Sequence, residues 1–181
     1  MSVELAEAVR RLPEGTVLPV VTAPAGVLSG VTGSVDPAAP ETLALAASLI
    51  ATMRVSPGCV GLAANQVGVA LNMFCVDVTD HPKANLTHGT FVLCNARVVA
   101  ASRWQKGREG CMSVPDLTGD VKRAGRLTVV GQVPGDAGEV ELTTDAFEAR
   151  AVQHEIDHCA GLLFLDRVAG AHAVFARRTY L

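Results

Sequence analysis

Residues 153–158 read Gln153-His154-Glu155-Ile156-Asp157-His158. His154 and His158 are four positions apart, so on a helix they stand one above the other on the same face. Two imidazoles so placed can share one divalent metal. A glutamate beside the first can reach water at that metal and move its proton. Neighbouring residues also predict a helix. Asp145 suits its N-cap, Glu148 three positions on suits the reciprocal capping partner, and Gly161 suits its end. Phe147 and Ala151 share the histidine stripe, which turns the metal face inward, where water is limited. The competing reading is an exposed polar face on which His and Glu merely meet solvent.

Two histidines leave a hydrolytic metal one protein ligand short, with a fourth position kept for water. A metzincin-like third histidine would fall at position 164, which is Phe164. Asp166 lies too near His158 to project from a separate helix. The third ligand is therefore expected upstream, and Cys111 in Arg108-Glu109-Gly110-Cys111-Met112-Ser113-Val114-Pro115 is the best candidate. That stretch reads as a short turn whose backbone groups are open to a ligand. Taken alone, a cysteine there is more often a buried small apolar side chain. Further upstream, Cys59-Val60-Gly61-Leu62-Ala63-Ala64-Asn65-Gln66 is built of small residues that let a backbone approach something closely. Gln66 could aim an amide N–H at a carbonyl oxygen. A tight loop chosen for packing is the alternative.

Composition narrows the function classes. The chain of 181 residues suits one domain, 1–181, with a substantial core. Aromatics are only 4% against 49% hydrophobic residues, so that core is aliphatic. A net charge of −3 gives no electrostatic footprint for nucleic acid. No apolar run approaches a membrane span, and Met1 to Leu12 lacks the apolar middle of a secretory signal. Five cysteines without disulfide-like spacing fit a reducing compartment, so a cytoplasmic protein is expected.

Elsewhere the pattern gives a coarse outline. Val3 to Leu12 reads as a short amphipathic helix or a frayed end, and Val17 to Val31 as irregular strand and turn without chemistry. Asp36 and Pro40 open a helix whose Leu43, Ala46, Leu49, Ile50 and Met53 form a core stripe, ended at Ser56-Pro57-Gly58. Val67 to Val78, Thr90 to Ala101, Leu127 to Val133 and Glu139 to Thr143 read as strands. His81 and His88, in the polar loop between the first two, are expected in solvent.

Three stretches, in this order, carry a resemblance: Gly61-Leu62-Ala63-Ala64-Asn65-Gln66, Glu109-Gly110-Cys111-Met112-Ser113 and Gln153-His154-Glu155-Ile156-Asp157-His158. Together they resemble the three motifs of the bacterial-type peptide deformylases, over about Asp36 to Val168. The resemblance implies an α+β fold, with antiparallel sheets packed around the central helix that carries the metal motif. It implies a metal held by Cys111, His154 and His158, with water as fourth ligand. Fe(II) is the commonest occupant, and zinc, nickel or cobalt can take the site. Glu155 becomes the general base and acid, and Gln66 and the Met112 backbone N–H the oxyanion donors. Val60, Gly61 and Gly110 would line the substrate. Glu109, Gln153 and Asp157 would hydrogen-bond around the ligands, unless they only solvate helix and turn. The implied reaction removes the formyl group from the formyl-methionine that begins new proteins, with the ribosome near its exit tunnel as a possible partner.

The chain departs from the family at Cys59, where glycine is usual, and at Met112 and Cys159, where leucine is usual. Residues 23–29 lack the family's Asp-Pro and Leu-Arg pattern, and the tail after Val168 is short. These departures motivate an alternative enzyme, either a specialised paralogue that hydrolyses an N-formyl or other N-acyl group on a small molecule or an inhibitor-tolerant duplicate. A separate alternative, of another class, is a binding protein without catalysis.

Overall fold

The structure is a computed structural model and describes residues 3–178. In chain order the elements are α1 (Val3–Arg10), α2 (Pro40–Val55), β1 (Gly61–Ala63), β2 (Met73–Val76), β3 (Phe91–Cys111), β4 (Val114–Gln132), β5 (Glu139–Asp145), α3 (Ala146–Cys159) and β6 (Val174–Ala176), with short 3-10 turns between them. The strands form one antiparallel sheet in the order β1-β2-β3-β4-β5, with β6 on β4. This is the expected α+β arrangement, with one continuous antiparallel sheet in place of several.

Sequence alternation explains how the layers meet. On β1 and β2, Leu62, Met73 and Cys75 pack with Ala46, Leu49, Ile50 and Met53 of α2. Ala63, Phe74 and Val76 point the other way and pack with Ala149 and Val152 of α3. Side chains on a strand alternate between faces, so a strand covered on both sides must be apolar at every position. That is why Met73–Val76 is an unbroken apolar run, buried throughout. α3 therefore lies against the sheet with its histidine face toward β1, β3 and β4 rather than toward solvent.

Several boundaries differ from those read off the sequence. The segment Val67 to Val78 is a strand only over Met73–Val76, because Ala64–Val67 forms a 3-10 turn that ends on left-handed Gly68. β3 runs on to Cys111, so the expected turn of residues 108–115 is mostly strand and only Met112 and Ser113 turn the chain. Residues 97–106 of β3 are all exposed, which leaves no apolar alternation to read there. The β3–β4 register slips between Gly110 and Cys111. Such irregularities re-aim side chains beside functional sites. Asp145 stands at the N-cap of α3 but makes no side-chain cap bond. Its carboxylate instead accepts from Asn85 and the Leu86 N–H. Glu148 is fully buried and bonds His88 and Thr144. His88 and His81 are accordingly not in open solvent: His88 Nδ1 sits 2.6 Å from Glu148, and the His81 ring stacks on Phe147 with centroids 3.5 Å apart. Among the described residues no helix is long and apolar enough to cross a membrane.

Candidate metal centre and its cleft

α3 holds His154 and His158 one turn apart, with ring centroids 4.9 Å apart. The strand period brings the third group. Glu109 and Cys111 are two apart on β3, so both turn inward while Gly110 faces out. Cys111 Sγ then lies 3.2 Å from His158 Nε2. Ligand atoms of Cys111, His154 and His158 all fall within 4.8 Å of one another. One thiolate and two imidazoles at that spacing suit a tetrahedral divalent ion with one position left over.

The surroundings orient these groups. His154 Nδ1 is 3.0 Å from Glu109 Oε2, which leaves its Nε2 to face the sulfur side. Glu109 is itself held by Arg123, through Nε at 2.9 Å and Nη2 at 3.0 Å, and by Arg150 Nη1 at 2.7 Å. Arg123 also bonds Asp157, which accepts a further fork from Arg167. The Gln153 amide bridges the Ala124 N–H and C=O of β4 and so docks α3 on the sheet. Of the three residues expected around the ligands, then, Glu109 touches one directly, Asp157 acts through Arg123, and Gln153 fixes the helix.

The titrating groups show strong local fields. Burial and the neighbouring His154 hold His158 well below its ordinary value, so its ring is neutral and able to ligate. Burial also pulls His154 down, but hydrogen bonds to Cys111 and Glu109 outweigh it and the net shift is upward. A metal there competes with a proton. Burial pushes the Glu155 carboxyl up to about 7, against the pull of His154. Such a carboxyl can both take and return a proton near neutrality. Glu155 Oε2 is buried and has no hydrogen-bond partner among the described residues. A buried acceptor left so is costly unless something else answers it, which fits a site built for a ligand.

Gln66 is locked in one orientation. Its Oε1 accepts from the Ala63 N–H at 2.9 Å, so its Nε2 must point the other way. There it stands 3.3 Å from Cys111 Sγ and 3.2 Å from Ser113 Oγ, beside the ligand cluster. An open cleft of about 260 Å³ leads to the cluster and is lined by Val60, Gly61, Gln66, Gly110, Met112 and Glu155. Every residue expected from the sequence at the site is thus brought together. Gly61 is needed for space, since a Cβ there would lie 2.5 Å from Glu155 Oε1. Cys59 also lines the cleft, but its thiol turns onto the Gly61 carbonyl at 3.1 Å, and burial with Glu155 nearby pushes it up to about 12.

Sequence reasoning missed Arg123, Arg150 and Arg177, and gave Ser113 no role of its own. Arg150 had a signal, being four residues before His154 on the same helix face. The segment 17–31, read as lacking chemistry, passes beside the site: Val21 N–H donates to the Gln66 carbonyl and Ala23 N–H to the Ser113 carbonyl.

Comparison with known proteins agrees with this geometry. The family model described as polypeptide deformylase matches residues 17–173. A peptide deformylase of Syntrophobacter fumaroxidans is 37% identical over 152 residues, covering 84% of this chain and 86% of its own length. One from Aquifex aeolicus is 35% identical over 162 residues, 89% of this chain and 93% of its own. Among solved structures, the class I type b peptide deformylase of Acinetobacter baumannii with Met-Ala-Ser bound matches with a TM-score of 0.75 at 31% identity, covering 84% of this chain and 99% of that one.

Proposed function

The chain belongs to the polypeptide deformylase family, and we propose that its Cys111, His154 and His158 hold one divalent metal, Fe(II) before zinc, nickel or cobalt. The enzyme removes the N-formyl group from the formyl-methionine at the start of newly made proteins, giving formate and a free amine. A rival reading, in which the departures mark a paralogue for small N-acyl molecules, is not favoured: the relatives named peptide deformylase match across most of the chain.

The observation that carries the metal assignment is the convergence of one sulfur and two ring nitrogens within 4.8 Å. When bound there, the metal supplies Lewis-acid charge that makes water acidic and polarises the formyl carbonyl. This chain's residues do the rest. Glu155 takes a proton from water at the metal face and passes it to the departing amine nitrogen. Gln66 Nε2, with the Met112 backbone N–H, donates to the formyl oxygen as its charge grows. Glu109 keeps the His154 ring turned for ligation. Val60, Gly61 and Gly110, on the cleft walls, take the peptide. A Met-Ala-Ser ligand in the Acinetobacter baumannii neighbour supports a peptide in this cleft. Such a substrate is met in the cytoplasm, near the ribosomal exit tunnel.

Two measurements check this reading. Protein purified without oxygen should contain about one equivalent of divalent metal and release formate from formyl-Met-Ala-Ser, with both lost on chelation. No formate at full metal loading sinks it. Replacing Gln66 by Leu removes one oxyanion donor without adding charge. It should lower kcat by about 10²-fold, as losing such a donor costs about 3 kcal/mol of barrier. An unchanged kcat would remove Gln66 from the mechanism.

A further inference from the structure

The short tail after Val168 returns to the cleft. β6 pairs with β4 through Leu117↔Ala176, Thr118↔Phe175 and Gly119↔Val174. Thr118 pairs on its other side with Gly110. Gly110, Thr118 and Phe175 therefore form one row across three strands. The Arg108 guanidinium covers the Phe175 ring at 3.7 Å and bonds Asp120 at 2.7 Å. Just past the strand, the Arg177 N–H donates to the Asp116 carbonyl at 2.8 Å, which fixes where its side chain starts. That side chain then crosses β4. Its Nη2 lies 3.3 Å from the Cys111 carbonyl oxygen, and a Cβ on Gly110 would come within 2.1 Å of it. Arg177 thus takes the space that Gly110 leaves, on the wall of the same cleft that holds Gly61 and Glu155.

We propose that Arg177 is a specificity-determining residue that favours formylated peptides bearing a carboxylate in the first residues after methionine. The inference rests on the deformylase reading above. With the formyl carbon at the Cys111–His154–His158 cluster, the peptide leads outward along a wall where Arg177 adjoins the residue next to a ligand. A guanidinium presents a planar fork of N–H donors that matches a carboxylate by two parallel bonds. Its several N–H groups let one arginine serve a backbone carbonyl and a carboxylate at once. The cleft is partly screened from water, which strengthens such a contact relative to an exposed pair. Arg177 lies outside residues 17–173, which the family model matches, so the preference is not one that the family's shared residues carry.

The test uses metal-loaded enzyme and C-terminally amidated formyl peptides, so that no terminal carboxylate competes for the guanidinium. Formyl-Met-Ala-Ser is compared with versions carrying Asp or Lys at the second or third position. Wild type should favour Asp over Lys in kcat/KM by about fivefold or more at one of these positions, and high salt should shrink the advantage. Arg177→Gln should bring the ratio close to one, and Arg177→Glu should invert it in favour of Lys. The ratio compares two substrates on one preparation, so any loss of folded enzyme cancels. An Asp-to-Lys ratio that is the same in all three proteins overturns the inference while leaving the deformylase reading intact. Absence of formate from every peptide overturns both.

Discussion

Glu155→Ala should lower kcat for formate release by roughly 10³-fold while leaving the metal content unchanged. Glu155 is not among the three groups whose ligand atoms converge, so its loss removes no ligand. It does remove the carboxylate whose Oε2 is buried with no partner among the described residues. A positioned acid–base group is worth about 10² to 10⁴ in rate. The same change relieves a desolvated carboxyl, so the thermal midpoint should hold or rise, the usual trade between a poised site and stability. Glu155→Gln separates shape from proton transfer, because it keeps the volume against Gly61 and loses only the base. Kinetics, metal analysis and a melting curve on the three proteins decide the matter. Equal turnover in wild type and both variants would remove Glu155 from the mechanism.

The parts of this site that the sequence announced are those encoded by local spacing. His154 and His158 need only the helix period, and the inward turn of Cys111 needs only the strand period once β3 is known to reach it. The Asp145…Glu148 pattern shows where locality fails. It has the spacing of a capping box, yet both carboxylates are claimed by the loop of residues 79–89, Asp145 by Asn85 and Glu148 by His88. Glu148 is fully buried, and such a carboxylate gains more from a nearby histidine that is itself mostly covered than from a solvent-facing cap. The full length of the β3–β4 hairpin was hidden for a different reason. The middle of β3 lies beyond the core, so nothing selects apolar residues at alternate positions past Ala101, over residues 102–106. Arg123 was invisible because a charged residue within a strand reads as a solvent position. Only the placement of α3 across β4 shows that position 123 faces Glu109 and Asp157.

Removing Glu109 should have the largest effect on the folded state. Its carboxylate is buried and is oriented by both arms of the Arg123 fork, by Arg150 and by the His154 ring. Burial alone would raise its pKa, but bonds to His154 and Arg123 outweigh that and hold it well below the usual carboxylate range. The pairing is therefore strong in place, although burying the ions is itself costly. Glu109→Ala leaves the buried Arg123 with Asp157, and Arg150 with the backbone carbonyls of Gln105, Gly107 and Val121. Breaking one side of such a network typically costs about 3–5 kcal/mol, which a denaturant midpoint at constant m-value will show. A second effect is local to the metal. The His154 ring loses the acceptor that turns it, and losing such a partner typically costs about 10–100-fold in metal affinity. Glu109→Gln keeps shape and some hydrogen bonds but not charge, so it should fall between wild type and Ala in both measurements. If Gln matches wild type in stability but not in metal affinity, the charge acts on the ligand rather than on the fold. If Ala matches wild type in both, the network has no part in either, and the orientation of His154 must come from α3 alone.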